Sequence, residues 1–233
     1  MIIGILQADS VMENLQPVHG NYPGMFTDVL GGVDSNIEFR YYDVEHGEYP
    51  EDLNECDGYV ITGSKKSVYD DEPWIHVLST FVLQLHKHKK KIVGICFGHQ
   101  LIAQALGGRT EAADVGWGVG VHENQVIKNE SFMDTQTEGF ALVVSHKDQV
   151  SALPQGAELL ATSDFCPNAM FRIDNHILTF QGHPEFTKAY SKELMEMREE
   201  ILGEEKFSAG MSSLSRPHDS ETVSGWIVRF IAS

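Results

Sequence analysis

Between Lys91 and Gln100 the chain reads K-I-V-G-I-C-F-G-H-Q and continues L-I-A-Q-A-L-G-G. An apolar run enters a G-x-C-x-G frame and leaves as an amphipathic stretch, which specifies strand, sharp turn and helix, with Cys96 at the turn. A side chain at Gly94 or Gly98 would crowd a turn this tight. The arrangement is the thiol counterpart of the G-x-S-x-G nucleophile elbow. At a helix start, unpaired N–H groups face the sulfur and favour thiolate over thiol. The competing reading is a small buried core cysteine, and a nucleophile also needs a base.

The rest of the chain agrees with a strand that feeds a helix. Ile2 to Leu6, Ile37 to Tyr42 and Gly58 to Thr62 read as strands, and Tyr22 to Leu30 and Trp74 to Lys87 as helices. Such alternation predicts an α/β domain, a doubly wound and mostly parallel sheet with flanking helices. From Gly116 to Phe186 β-rich segments follow without long helices, which predicts a small antiparallel layer appended to the parallel sheet. Tyr190 to Leu202 reads as a helix, Phe207 to His218 as a polar connection and Ser220 to Ile231 as a closing helix. With 233 residues, one domain over 1–233 is expected, with a core of about 41–190 and a helical extension of about 190–233.

The base candidate lies in H-I-L-T-F-Q-G-H-P-E-F, His176 to Phe186. Proline keeps the preceding residue extended, so His183 and Glu185 project from one side of the chain. A carboxylate there fixes the imidazole tautomer and leaves the other nitrogen for a thiol. An H-P-E surface turn is the plain alternative. Together with Cys96 the pair makes a Cys-His-Glu triad.

At this point the residues resemble a known family. G-I-C-F-G-H-Q followed by Q-G-H-P-E is similar to the triad-type class I glutamine amidotransferases, whose fold is flavodoxin-like. D-G-Y-V-I-T-G-S-K-K-S (Asp57 to Ser67) resembles the family's oxyanion-strand loop. V-V-S-H-K-D-Q-V (Val143 to Val150) resembles the segment beside bound glutamine in the GMP synthetase type. The resemblance runs from about Tyr41 to Phe186 and is nearest to stand-alone members, including the plant γ-glutamyl peptidases, which share G-I-C-F-G-H-Q and a continuation like D-D-E-P-W. It implies cleavage of the γ-amide of glutamine or a γ-glutamyl compound through a thioester on Cys96. The oxyanion donors would be backbone N–H groups of Phe97 and of the Gly63-Ser64 loop, although many members carry Gly-Gly-Pro there. Gln100, Ser145 and His146 would bind the substrate, with a plain loop-bonding role for Gln100 as the alternative. His146 is less favoured than His183 as the base, although Asp148, two residues on, keeps it as a rival. Trp117 reads as a packed strand aromatic, and the His19 to Tyr22 and Lys65-Lys66 segments as neighbours of the leaving group.

Composition narrows the partners. A formal charge of −17 argues against nucleic acid or an anionic membrane surface. No apolar run approaches membrane-spanning length, and M-I-I-G-I-L-Q reads as a first strand, not a signal peptide. Three cysteines (Cys56, Cys96, Cys166) show no metal spacing and point to a reducing cytoplasm, with Cys56 and Cys166 structural. His86-Lys87-His88 has no further ligands clustered with it, so no metal and no other cofactor is expected. Nothing resembling a synthetase domain follows, which leaves two ways to use the chemistry: ammonia delivery to an unlinked synthetase subunit, or free-standing hydrolysis of γ-glutamyl, glutathione-like conjugates. A catalytically silent module that binds γ-glutamyl ligands is the alternative of another class.

Overall fold

Apolar runs separated by helices become neighbours in one sheet. In the computed structural model, which describes residues 1–134 and 136–233, the first half contains β1 (Ile2–Gln7), α1 (Gln16–His19), α2 (Tyr22–Val33), β2 (Glu38–Asp43), β3 (Gly58–Ile61), α3 (Pro73–Lys87), β4 (Lys91–Ile95) and α4 (Phe97–Ala105). Short strands follow: β5 (Arg109–Ala112), β6 (Gly118–Val126), β7 (Gly139–His146), β8 (Asp148–Ala152), β9 (Ala157–Thr162), β10 (Met170–Ile173) and β11 (Ile177–Phe180). Helices α5 (Lys188–Met197), α6 (Glu199–Ser213) and α7 (Ser220–Ala232) close the chain.

Strands β2, β1, β3, β4 and β11 lie side by side in that order, each pair parallel. Beyond β11 the same sheet continues through β10, β9, β6 and β7 in antiparallel pairs. The β-rich run therefore joins the parallel strands edge to edge, and the separate antiparallel layer is the two-stranded β5–β8 sheet. Period-two alternation sorts the strand side chains between two faces. Ile3, Ile5, Val60, Val93 and Ile95 pack with Phe26 and Leu30 of α2 and Val223 and Trp226 of α7. Leu6, Tyr59, Ile61 and Ile92 pack with Leu78 and Val82 of α3 and Phe97 and Leu101 of α4. A sheet covered on both faces is what all-apolar strands such as β3 require.

Two expectations for the C-terminal region are corrected. The helix expected over Tyr190 to Leu202 ends at Met197, because Arg198 leaves helical geometry (φ −113°, ψ 11°) before α6 begins. The polar stretch from Phe207 is helical as far as Ser213. Phe207, Met211 and Leu214 recur at helical spacing and pack against Val119, Met195 and Leu202. Serines and glycines between them hide that stripe in the sequence. Among the described residues no helix is long and apolar enough to cross a membrane.

The fold places a site by its topology. Asp9 follows β1, Gly63 follows β3, Cys96 follows β4 and His183 follows β11, all at the carboxyl ends of parallel strands. That end of an open α/β sheet is where ligands bind.

Candidate active site

Cys96 occupies the turn between β4 and α4 with φ 50° and ψ −98°, a conformation rare for any residue but glycine. The glycines at either side permit it. A Cβ on Gly94 would stand 2.6 Å from the backbone of Gly98, and one on Gly98 would stand 2.5 Å from the Ile61 carbonyl oxygen. Backbone hydrogen bonds fix the turn: Cys96 N–H donates to Phe180 O at 2.8 Å, and Cys96 O accepts from Gln100 N–H at 3.0 Å. The sulfur accepts from Gln181 Nε2 at 3.6 Å, and Gln181 Oε1 in turn accepts from Gln100 Nε2 at 3.1 Å. Gln100 Nε2 also donates to the Asp148 carbonyl at 2.8 Å. Gln100 thus bonds a loop and lines the cavity at once.

His183 enters from the opposite side, its N–H held by Val143 O of β7 at 2.8 Å. Its Nδ1 donates to Glu185 Oε1 at 2.7 Å, and both side chains are almost completely buried. Burial opposes a charged imidazole, but the charges of Glu185 and Cys96 and the hydrogen bonds to both overcome it, raising the His183 pKa above 6.5. His183 also stacks on Phe186, ring centroids 3.8 Å apart and planes 9° from parallel.

The loop after β3 completes the wall. A Cβ on Gly63 would come within 2.8 Å of His183 Cε1, so only glycine lets this backbone reach the imidazole. The loop is tied to β1 through buried Asp9, which accepts from Lys65 N–H at 2.8 Å and from Lys65 Nζ at 2.7 Å. On its far side Ser67 and Tyr69 donate to the Asp148 carboxylate. Among the described residues, neither Ser64 N–H nor Phe97 N–H has a protein acceptor.

Of the residues read from the sequence as catalytic, oxyanion-binding or substrate-binding, all but Phe97 and Glu185 line one cavity of about 280 Å³: Cys96, His183, Gly63, Ser64, Gln100, Ser145 and His146. Phe97 and Glu185 stand directly behind it, next to Cys96 and His183. His146 Nδ1 donates to the Asp148 carbonyl at 3.0 Å and has no link to the Asp148 carboxylate; burial holds its pKa down to about 3. Trp117 lines the mouth, with the Arg198 guanidinium 5.2 Å over its ring. Tyr22, Lys65 and Lys66 are also at the wall, whereas His19 pairs with Glu193 at 3.1 Å. Sequence reasoning missed Asp9, Gln181, Phe186 and Arg198. Gln181, which opens the Q-G-H-P-E motif, and Phe186, which follows it, carried a local signal; Asp9 and Arg198 carried none.

The remaining candidates lie elsewhere. His86 Nδ1 and His176 Nε2 share a hydrogen bond at 2.9 Å, and no group of three or more His, Cys, Asp and Glu side chains suited to a metal occurs among the described residues. Cys56 and Cys166 are buried free thiols, and burial pushes Cys166 up to about 12.

Comparison with known proteins bears on this arrangement. The family model described as glutamine amidotransferase class-I matches residues 25–199. Gamma-glutamyl peptidase 2 of Arabidopsis thaliana is 34% identical over 217 residues, covering 88% of this chain and 86% of its own. A glutamine amidotransferase-like protein of Schizosaccharomyces pombe is 31% identical over 244 residues, covering 98% of each. Among solved structures, a glutamine amidotransferase from Methylobacillus flagellatus superposes with a TM-score of 0.76 over 100% of this chain and 92% of its own, at 22% identity. That last likeness concerns the fold.

Proposed function

The chain belongs to the class I glutamine amidotransferase family, and on that premise we propose that Cys96 cleaves the γ-amide of glutamine or of a γ-glutamyl compound through a γ-glutamyl thioester. The supporting observation is convergence. Cys96, His183 and Ser64 line one cavity; Glu185 bonds His183 from behind it, and the N–H groups of Ser64 and of Phe97, next to Cys96 in the chain, have no protein acceptor among the described residues. In this reading Glu185 holds the imidazole by its Nδ1–H. The sulfur attacks the γ-carbonyl carbon while negative charge develops on the carbonyl oxygen. Ser64 N–H and Phe97 N–H receive that charge, with Gly63 allowing the close approach. The C–N bond then breaks, and the amine leaves with the proton carried on His183 Nε2. Water, deprotonated by the same nitrogen, hydrolyses the thioester, expels the thiolate and restores the thiolate–imidazolium pair. Gln100, Ser145 and His146 hold the glutamyl portion, with His146 as a neutral hydrogen-bonding group.

One observation favours a γ-glutamyl peptide over glutamine. In a strongly acidic chain the cavity is lined by Lys65, Lys66, Lys147 and Arg198. Lys65 is paired with Asp9 and Lys66 with Glu72. Among the described residues Arg198 and Lys147 have no carboxylate partner. Arg198 donates to Ser145 Oγ at 2.8 Å and lies over Trp117, which leaves guanidinium donors for a substrate carboxylate. A leaving amine that is itself an amino acid supplies an extra carboxylate, and ammonia supplies none. We therefore place free-standing hydrolysis ahead of ammonia delivery to an unlinked synthetase subunit, and place it in the reducing cytoplasm that suits a nucleophilic thiol.

The test is a panel of γ-glutamyl dipeptides, γ-glutamyl amides and glutamine, with the acyl-enzyme trapped and located by mass spectrometry. We expect a γ-glutamyl adduct on Cys96, fastest turnover for the dipeptides, and neither adduct nor turnover in Cys96→Ala. Turnover by that variant overturns the nucleophile assignment. Glutamine turnover only with an added protein favours ammonia delivery. Binding without any adduct favours the silent module.

A further inference from the structure

The stack of His183 on Phe186 is closer and flatter than the other aromatic contacts around the cavity. Phe186 is 3% exposed. The Tyr22 ring of α2 lies nearly parallel to it, 12° off at 6.1 Å, and the Tyr190 ring of α5 meets it edge-on at 90° and 4.7 Å. The two tyrosine hydroxyls stand 3.4 Å apart. Elements from both ends of the chain therefore clamp the phenyl ring, and the phenyl ring in turn covers one face of the imidazole. The π face of a phenyl ring carries negative charge density and attracts a cation placed over it, most strongly where water is excluded. An imidazole held there is favoured in its charged form and cannot tilt away from the sulfur.

We propose that Phe186 is a positioning residue whose π face stabilises the imidazolium form of His183 and fixes its plane, so that the proton destined for the leaving amine is already in place. The proposal rests on the thioester reading above. Other groups around the imidazole are accounted for separately. Glu185 on the same loop and Cys96 after β4 favour the cation. His146 on β7 is buried and neutral. Tyr22 and Tyr190 are held un-ionised by burial, and Asp9 after β1 acts on both tyrosines. Arg198 after α5 carries like charge at the same cavity. Removing the phenyl face leaves all of these in place.

The sign of the effect follows. Loss of the π face destabilises cationic His183 and leaves neutral His183 unaffected, so the imidazole gives up its proton at a lower pH. The acid limb of kcat/KM is unmoved, because His183 is cationic on both sides of that step. The alkaline limb moves toward neutrality by about one pH unit, the span of a desolvated cation–π contact.

The experiment follows His183 in the full chain by NMR of 15N-labelled histidine, alongside the pH profile of kcat/KM on the best γ-glutamyl substrate. Phe186→Leu should bring both the imidazole titration and the alkaline limb down by about one unit, and Phe186→Tyr should restore them. Fluorinated phenylalanines at 186 keep the shape while draining the π face, so the titration should step down with each added fluorine even if the leucine variant folds poorly. A flat fluorine series, or Phe186→Leu titrating like wild type, overturns the proposal. Failure of wild type to form a thioester would instead overturn the functional reading, since the NMR titration needs no turnover.

Discussion

Cys96 carries a left-handed φ on a non-glycine residue, a state that costs about 1–3 kcal/mol and persists only where its surroundings enforce it. The enforcement is steric and begins one strand away. Gly94 and Gly98 touch backbone to backbone, and Gly63 brings the neighbouring loop against His183. A single methyl at residue 63 tests how closely these parts must fit. In Gly63→Ala the new Cβ would lie 2.8 Å from His183 Cε1, so the ring or the loop must shift by several tenths of an ångström. Because misplacement on that scale degrades catalysis steeply, kcat should fall on the order of 10²-fold. The thermal midpoint should stay within a few degrees, because the residue lies at the cavity wall and not in the core clusters. Activity near wild type would show that this contact does not position the imidazole.

Strand ends and the loops that leave them set the geometry one level up. The loop after β3 is tethered to β1 through Asp9 and on the far side to Asp148. A donor loop with Gly-Ser-Lys in place of a stiffer Gly-Gly-Pro is thus held by side chains from elsewhere in the fold. Asp9→Ala removes one tether without touching Cys96 or His183. The expected result is a fall in kcat on the order of 10²-fold with a smaller change in KM, because a donor used at the developing oxyanion is misplaced. Steady-state kinetics that show KM rising with kcat intact would assign the loop to ground-state binding instead. The contrast between Asp9 and Cys96 also marks what the sequence can disclose. The elbow, the H-P-E pair and the glycine of the donor loop are local signals, written within a few residues of the groups they serve. Asp9 and Arg198 act through contacts between remote segments, and each looks alone like an ordinary loop or helix-end residue; Gln181 stands in the Q-G-H-P-E motif, but its bonds to Gln100 and the Cys96 sulfur likewise join remote segments. The break at Arg198 leaves no local mark because helix propensity continues through it; a few residues on, Gly203 also leaves helical geometry (φ 74°), and beyond it Phe207, Met211 and Leu214 pack against Val119, Met195 and Leu202.

Across the whole molecule, buried histidines make stability depend on pH from two sides. His99 and His146 are held near 3 and His176 near 4, in each case chiefly by burial. These groups fold neutral and unfold into a chain that binds protons from about pH 6.5 downward. Their contribution is therefore complete above 6.5 and is lost as pH falls toward the folded values. His183 has the opposite sign. Although burial opposes its charge, Glu185 and Cys96 raise it to about 10, so its contribution is complete below 6.5 and is lost as pH rises toward that value. Relief of self-repulsion works against the acid loss, since a chain of net charge −17 approaches neutrality near its pI of about 4.9. Surface charges are screened within about 8 Å at physiological salt, whereas each extra proton bound by the unfolded chain costs about 1.4 kcal/mol per pH unit. The histidines should prevail, and urea unfolding at pH 7, 6 and 5 should show stability falling with acid. His99, 2.8 Å from Thr179 Oγ1 and outside the cavity, isolates one share of that slope. His99→Asn retains a hydrogen-bonding group but cannot titrate, so the slope between pH 6 and 5 should drop by one histidine's share, with His86, His122, His146, His176 and His218 still contributing, whatever the variant's stability at pH 7. An unchanged slope would mean that His99 binds its proton equally well in the folded and unfolded chains.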